Sequence, residues 1–527
     1  MRFLQLRSWS LAGVLPPWEG QPLYELVRAH GANAELPEPQ DRGENELGWA
    51  PGALDGVTGH HFSRPEIGEI RERSSEILKA LEALLKRAST ETLSKLHALI
   101  RKEVLLPVAD ELQKEIASDL LSRDQYKARI AEIGRYLATK AADRETTKFG
   151  ILLLEISVES SDRDVLETMA GHDEFTLYAA LALFPLTADP EVTLWEIAKR
   201  VHGWGRVQVV ERLKRTQNHE ILAWMLREGF RNHIMDGYLA GICAKAGVLH
   251  EALRPAEIDR ALLDGATGII NALLLRGGPA DSIDDYPEAP DALREYLRHA
   301  QRTTDLTLEH LLCIASLHRF LAEEGGWEDR FSEGWTADHR GRMRSVCAEL
   351  MKRPQWIEEI HRALQSTDPQ VFYQGDAAAR ELGIDTRAIH FARVRSAPLK
   401  SSSWNRLLQQ TKEDQLDEVL SFAEQALPLD QIAIGPADWL GLGDKYAAHQ
   451  ALDCILQDLK RFPERGWRFL QVGLQSPVTR NRNLALTALL EWPKASWPGS
   501  TRELLQKAYA LEPNEKLRER LNSALSE

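Results

Sequence analysis

The chain has 527 residues, of which 43% are hydrophobic and 27% are charged, a balance that excludes a disordered tail and fits two or three globular units or one elongated array. Its 65 lysines and arginines against 79 aspartates and glutamates give a formal net charge of -14. That negative charge argues against a long-range attraction to nucleic acid or to an anionic membrane.

Residues 1–63 form an irregular segment rich in glycine and proline, in which "QPLYELVRAH" predicts one helix. The segment ends in "GWAPGALDGVTGHHF", residues 48–62, with four glycines and two adjacent histidines. We interpret this stretch as an ordered Ω-like loop that caps the helices after it, because glycines permit tight turns and the apolar side chains can dock. The predicted structural cap consists of Trp49, Leu54, Asp55, His60, His61 and Phe62.

The alternative for this loop is a metal site. Asp55, His60 and His61 offer the carboxylate and imidazole ligands that hydrolytic zinc or non-haem iron uses. The side chains of adjacent histidines diverge in most backbone conformations. No third ligand is obvious nearby. We therefore expect both imidazoles to be hydrogen-bonded to protein, with no metal and no other cofactor.

Residues 64–144 predict two to four long amphipathic helices. No glycine occurs between Gly68 and Gly134, and Pro107 is the one proline there. Apolar residues such as Ile77 and Leu81 recur at helical spacing, with charged residues on the other faces. Ser89 or Thr90 can cap the second of these helices.

Residues 145–527 predict helical repeats. Similar apolar segments begin at residues 149, 177, 207 and 234, so the period is about 27 to 30 residues, which is a repeat period and not a domain length. Asp189-Pro190, Asp368-Pro369 and Ser476-Pro477 are typical helix starts. Strand signals are nearly absent, so we expect an all-α fold of stacked helix pairs.

Two stretches resemble the second helix of HEAT or armadillo repeats. "SPVTRNRNLALTALLEW" carries Arg482, Ala485 and Leu489, and "WGRVQVVERL" carries Arg206 and Val209 at the same spacing. The resemblance implies an α-solenoid in which the arginine packs between repeats and the small residue allows close helix approach. "HGWGRVQVVERL" and "GLQSPVTRNRNLALTALLEW" also resemble bacterial HEAT-like proteins that are sometimes labelled limonene hydroxylase, but no haem, dinucleotide or metal motif accompanies them.

The stretch "HGWGR" places Trp204 and Arg206 at a predicted helix start. An aromatic wall beside backbone donors and an arginine would suit an anionic or flat ligand. The alternative is a tight interhelical turn with Trp204 packed between repeats.

Two later loops are further candidates. The acidic stretch at residues 277–290 lacks the spacing of a calcium loop and is interpreted as a linker that could interrupt the repeats. Residues 325–343 mix aromatic and titratable groups, which suits an interface hot spot or a long loop held down by its tryptophans. The candidate binding residues there are Trp327, Trp335, His339 and Arg340.

The four cysteines, at positions 243, 313, 347 and 454, lie far apart without a paired motif. They predict buried thiols in a reducing compartment, and no apolar window reaches the roughly 18 residues of a membrane span. We therefore expect a cytoplasmic protein without a membrane partner.

Three functions remain open, and the first is favoured. It is a non-enzymatic helical-repeat scaffold whose concave groove binds a protein partner. The second is an enzyme whose site joins the 48–62 loop to the 202–206 turn. The third is a helical-repeat nucleic-acid binder, which the scarcity of basic clusters disfavours.

Overall fold

The computed structural model describes residues 9–37, 49–61, 65–275 and 280–526. Within these ranges the regular secondary structure is helical, apart from one isolated parallel bridge between Trp439 and Val478. The all-α class predicted from the sequence is confirmed. Within the same ranges, no helix combines the length and apolar composition that crossing a bilayer requires.

The chain divides into two compact units, the first ending at Trp356 and the second beginning at Ile357. The first unit contains α1 to α19, with these bounds: α1 Leu23–His30, α2 Ala53–His61, α3 Ile67–Lys86, α4 Thr90–Ile100, α5 Leu106–Glu115, α6 Asp124–Lys140, α7 Arg144–Ser157, α8 Arg163–Ala170, α9 Thr176–Ala182, α10 Pro190–Ala198, α11 Trp204–Arg212, α12 His219–Trp224, α13 Gly237–Ala246, α14 Leu249–Ala252, α15 Arg260–Leu274, α16 Ala289–Arg302, α17 Leu308–Ala322, α18 Trp327–Ser332 and α19 Ala337–Met351.

The next helix, α20, spans Gln355–Leu364 and contains the division between the units. The remaining helices belong to the second unit: α21 Pro369–Glu381, α22 Arg387–Ser396, α23 Ser401–Gln410, α24 Glu413–Ala426, α25 Leu429–Ile432, α26 Ala447–Leu459, α27 Trp467–Leu474, α28 Thr479–Glu491, α29 Thr501–Leu511 and α30 Glu515–Ser526.

The early helices follow the sequence prediction. The "QPLYELVRAH" stretch contains α1, and residues 64–144 contain α3 to α6. Ser89 caps α4, because its hydroxyl accepts a hydrogen bond from the Thr92 N–H. Four amphipathic helices therefore occupy the region where two to four were predicted.

Odd-numbered helices form a continuous series in the first unit. From α7 to α19, each odd-numbered helix packs against the next odd-numbered one. The recurring segments that begin at residues 149, 177, 207 and 234 lie on or overlap α7, α9, α11 and α13. Successive copies of the recurring sequence segment therefore lie on successive odd-numbered helices of this series.

Helix starts were predicted at three polar-proline pairs. The Asp189 carboxylate accepts from the first N–H groups of α10, and the Asp368 carboxylate does the same for α21, so both predictions are confirmed. At the third pair, α28 begins only at Thr479; the Ser476 hydroxyl accepts from the Val478 N–H just before the helix and donates to the Asn481 side chain. The chain first runs extended there, which allows the bridge described above.

Arg482 in the second unit is fully buried on α28. The Arg482 guanidinium makes two bonds of 2.7 Å to the Glu512 carboxylate and donates at 2.8 Å to the Ser476 carbonyl. A side-chain atom added at Gly473 on α27 would lie 2.8 Å from the Ala485 methyl group. Close approach of α27 and α28 therefore needs both small residues.

The cysteines are free thiols. Cys243, Cys313 and Cys347 are buried as predicted, while Cys454 is half-buried. Burial raises the pKa of Cys347 to about 12 and that of Cys454 to about 11. None of these thiols is activated as a nucleophile.

Candidate functional site

Within the 48–62 stretch, residues Ala53–His61 form the helix α2, where the glycines predicted an Ω-like loop. Gly52 precedes the helix with a φ of +72°, and its N–H donates at 2.9 Å to the Glu174 carboxylate. A side chain at this position would clash with the Asp173 carbonyl oxygen. Glycine therefore lets the backbone turn into α2 against the residues just before α9.

A cluster of buried charges lies under α2. The Lys148 ammonium on α7 is fully buried and lies 2.7 Å from the Asp55 carboxylate, 2.9 Å from Glu145 and 2.7 Å from Glu174. The Arg144 guanidinium lies 3.3 Å from Glu174. Three carboxylates thus share two cations, and Asp55 is the one that α2 contributes.

Burial shifts the protonation of this cluster. It raises the pKa of Asp55 to about 6, although the Lys148 charge acts in the opposite direction. Although burial acts against it, the surrounding carboxylates hold the pKa of Lys148 well above its ordinary value. The Asp55 Oδ1 atom and the buried Tyr178 hydroxyl have no hydrogen-bond partner among the described residues. The cluster is therefore charged but incompletely paired.

The other side of α2 meets an aromatic group. Gly56 lies directly against the Trp204 indole, where an added side chain would overlap the ring. The His60 ring is 5.4 Å from the Trp204 ring, and its Nε2 atom lies 2.8 Å from the Glu211 carboxylate. The His61 Nε2 atom lies 2.5 Å from the Tyr238 hydroxyl. The 48–62 stretch and the 202–206 turn are therefore in contact.

The possible metal ligands do not converge. Asp55 points inward to Lys148, whereas His60 and His61 bind Glu211 and Tyr238. Across the part of the chain that the structure describes, no three His, Cys, Asp or Glu side chains are grouped to hold a metal. This arrangement offers no geometric support for the metal alternative.

The predicted cap residues differ in their burial. Asp55 is buried, Leu54 and His60 are half-buried, and His61 is exposed. Trp49 remains 43% exposed, and Phe62 lies outside the described residues. Gly56 packs directly against Trp204, whereas Gly59 is exposed. The cap role stays a prediction.

Trp204 and Arg206 are engaged inside the first unit. The Asp173 carboxylate accepts from the N–H groups of Gly203 at 3.0 Å and Gly205 at 2.8 Å, so a protein carboxylate occupies the start of α11. Trp204 is buried, and the Arg206 guanidinium donates at 3.0 Å to the Glu228 carbonyl. The backbone donors at the start of α11 and one terminal nitrogen of Arg206 are therefore already used by the protein, while the buried Arg206 Nε atom has no partner among the described residues.

The tryptophans of the 325–343 stretch pack together. Trp327 and Trp335 are both buried, with ring centroids 5.4 Å apart in an edge-to-face arrangement. The half-buried Arg340 stacks 4.1 Å above Trp327, while the half-buried His339 lies in the first turn of α19. Their role in binding a partner stays a prediction.

The acidic 277–290 stretch is partly described, from residue 280 onward. Asp284 binds Arg330 through two hydrogen bonds of 2.7 and 2.8 Å, and Asp281 binds Lys245 at 2.8 Å. Ile283 is buried between them. The described part of this stretch is therefore attached to its neighbours through specific ion pairs.

An apolar loop in the second unit was not identified from the sequence. It spans residues 434–442, between α25 and α26, and exposes four large side chains: Ile434, Trp439, Leu440 and Leu442. The Gly435 N–H donates to the Gln475 carbonyl, and the Trp439 N–H donates to the Pro477 carbonyl. These backbone bonds hold the loop while its apolar side chains face solvent.

A groove of about 360 Å³ adjoins this loop, between α27 and α29. Its apolar lining comprises Pro436, Leu474, Leu504, Ala508 and Leu511. Glu503 and Lys507, also in the lining, form an ion pair of 2.8 Å on successive turns of α29. We call the four exposed loop side chains and this groove the apolar face.

A sequence signal for the loop did exist. "IGPADWLGLGDK" sets a tryptophan and two leucines among three glycines and a proline, a composition typical of a loop that carries large apolar side chains. Comparisons with protein-family models, with curated proteins and with solved structures found no match. The assignment of function rests on side-chain geometry.

Proposed function

We propose that the protein is a non-enzymatic helical scaffold that binds a protein partner through the apolar face of its second unit. The observation that carries this proposal is the exposure of Ile434 at 64% and Leu440 at 51% on the loop whose Pro436 lines the groove, together with that of Leu511 at 65% in the groove lining. Large apolar side chains left exposed beside an apolar groove are costly in water and are typical of interaction sites.

The chemistry of the apolar face fits a partner helix. Its groove runs along the three turns of α29, about 16 Å, and its lining is mainly aliphatic with Ala508 permitting close approach. The Glu503–Lys507 pair offers both signs of charge to a polar flank. An amphipathic helix with apolar residues at i, i+3 or i+4 and i+7 is the occupant that this groove favours.

The titratable groups with perturbed pKa values favour a structural role over catalysis. Lys148 is enclosed by carboxylates in the first unit, and Asp376 is bound to His390 and Arg406 in the second. Lys148 and Asp376 are thus bound by other side chains of the same unit. The solvent-facing chemistry of the apolar face is hydrophobic, which supports binding.

The test is site-specific photocrosslinking from the apolar face. A photoreactive amino acid replaces Leu440, and a matched control carries it at Leu399, which is 46% exposed in the same unit. In native extract, Leu440 should crosslink to one protein and Leu399 should not. With that protein purified, a W439S/L440S variant should bind about thirtyfold more weakly, while L399S binds normally.

Four results would overturn the proposal. Crosslinking of equal yield from both positions would show that the apolar face is not selective. An adduct consisting of a second copy of this chain, or of nucleic acid, would assign a different occupant. Unchanged affinity in W439S/L440S would remove the apolar side chains from binding.

A further inference from the structure

The α2 helix docks through charge and close packing, without a large apolar anchor. The buried residues on α2 are Ala53, Asp55 and Gly56. Its polar contacts are the Asp55–Lys148 and His60–Glu211 ion pairs and the hydrogen bond from His61 to Tyr238. A contact of this composition depends on the protonation of its members.

We propose that the segment of residues 49–61 is a proton-coupled latch: it docks on the first unit with uptake of protons at Asp55 and His60, and it is released as the pH rises. The proposal concerns the first unit alone and is independent of the apolar face.

Asp55 is the first proton site. Its carboxylate enters a dry cluster that already contains Glu145 and Glu174 around Lys148, and its Oδ1 atom has no partner in the described part of the chain. A protonated carboxyl would place a neutral donor there and reduce the repulsion. In agreement, the pKa of Asp55 is raised from 3.8 to about 6.

His60 is the second proton site. Its Nε2 atom faces the Glu211 carboxylate, and its Nδ1 atom faces the Gly56 carbonyl at 2.8 Å, so the doubly protonated imidazolium satisfies both acceptors. The hydrogen bond to Glu211 raises the pKa of His60 above its ordinary value, despite partial burial.

Protonation favours docking of α2 at both Asp55 and His60. Each group has a higher pKa when docked than when free, so docking is strongest at low pH and weakens as the pH rises through the docked pKa. For Asp55 alone, a shift from 3.8 to about 6 corresponds to about a tenfold loss of docking between about pH 5 and pH 8. His60 adds to this loss.

The other titratable groups that face Asp55 and His60 do not reverse this pH dependence of docking between about pH 5 and pH 8. The pKa of Glu174 is lowered by Lys148 and Arg144 against the effect of burial, so Glu174 opposes docking only in more acidic solution. Tyr178 and Tyr238 have pKa values raised by burial and stay neutral.

Release would uncover a defined surface. The face of Trp204 beneath Gly56 and the ring of Tyr238 beside His60 would become accessible, next to the Glu211 carboxylate. The latch therefore controls the exposure of an aromatic surface on α11 and α13.

The experiment measures how often α2 opens. Ala53 is buried, so an A53C thiol reacts with a maleimide only when the segment is released. Cys454, half-buried, is changed to serine in all variants, since the other three native thiols are buried. Division of each rate by that of a free cysteine peptide at the same pH gives the protection of position 53. An A266C variant reports opening of the core at the buried Ala266.

Protection of A53C should fall at least about tenfold between about pH 5 and pH 8, while protection of A266C stays higher throughout. In D55N, the part of the pH dependence of protection that Asp55 causes should be lost. In D55N/H60Q, protection should not depend on pH. D164N, which removes an exposed carboxylate on α8, should retain the full profile.

Equal protection of A53C and A266C at every pH would overturn the proposal, because the segment would then open only with the core. Protection that rises with pH, or that is independent of pH, would also overturn it. A full pH profile in D55N/H60Q would show that other groups carry the protons.

Discussion

The Nζ atom of Lys148 lies 2.7 Å from the Asp55 carboxylate, and this buried ion pair joins α2 to α7 across 93 positions of the chain. Both side chains are withdrawn from water, and the one Lys148 ammonium also pairs with the carboxylates of Glu145 and Glu174. The stability of the first unit should therefore depend on Lys148 far more than on an exposed lysine.

Replacement of Lys148 by methionine should lower the free energy of unfolding by about 3 to 5 kcal/mol, because three carboxylates would be left without their shared cation. The control is K86M, which removes an exposed lysine paired to Glu82 and should cost under about 1 kcal/mol. Urea denaturation followed by circular dichroism measures both. A loss in K148M no larger than that in K86M would contradict the prediction.

Gly56 and Gly59 form a matched pair on α2. G56A should weaken α2 docking strongly, since the added methyl group would overlap the Trp204 ring. G59A should keep or improve stability by up to about 1 kcal/mol, because no atom lies within 4 Å of the added methyl group and alanine favours helix. Thermal unfolding and thiol protection at position 53 distinguish the two. Similar behaviour of both variants would refute the close packing of Gly56 on Trp204.

The buried Arg482–Glu512 pair should show strong coupling. R482M or E512Q alone should cost about 3 to 5 kcal/mol, since each strands a polar partner in the core of the second unit. The R482M/E512Q double variant should cost clearly less than the sum of the two single losses. A double-mutant cycle by urea denaturation gives the coupling energy. Additive losses would show that the two side chains act independently.

The second unit should lose stability in acid through Asp376. Although burial acts in the opposite direction, His390 and Arg406 hold the pKa of Asp376 down at about 2. Its contribution is therefore present above its ordinary pKa of 3.8 and is lost as the pH falls toward 2. The stability difference between wild type and D376N should shrink by about 2 kcal/mol over that interval. A constant difference in urea titrations from pH 6 to about pH 2 would exclude this assignment.

Two tryptophans in the second unit should respond oppositely to truncation. W404A should cost about 3 to 5 kcal/mol, because Trp404 is fully buried and donates a hydrogen bond to the Pro398 carbonyl. W439A should change the unfolding free energy by less than about 1 kcal/mol, because Trp439 is 40% exposed on its loop. Chemical denaturation of both variants provides the comparison. A large loss in W439A would assign Trp439 to the core.

Local features were predictable from the sequence. Ser89, Asp189 and Asp368 cap helices as their sequence patterns predicted, because a cap contacts only the N–H groups two or three residues ahead. Helical periodicity likewise predicted the all-α class. Helix caps and helical periodicity both depend on residues within one or two helical turns along the chain.

The docking of α2 was not predictable in the same way. Trp49, Leu54 and Phe62 were the expected apolar anchors; of the described residues, Gly56 is the one that fits directly against Trp204. That fit depends on a ring 148 positions further along the chain. Lys148 similarly lies next to an apolar run, and nothing in its local sequence identifies Asp55 as its partner.

The contacts of α2 also set an order of assembly during synthesis. All its main partners follow it in the chain, from Lys148 to Tyr238, which lies 177 positions beyond His61. As the chain leaves the ribosome from its N-terminus, α2 emerges before these partners. The surface on which it docks is complete only after α13 has emerged. At a usual elongation rate of about 5 to 20 residues per second, this segment waits for roughly ten seconds or more. Throughout that interval its unpaired aspartate and histidines are open to chaperones and proteases.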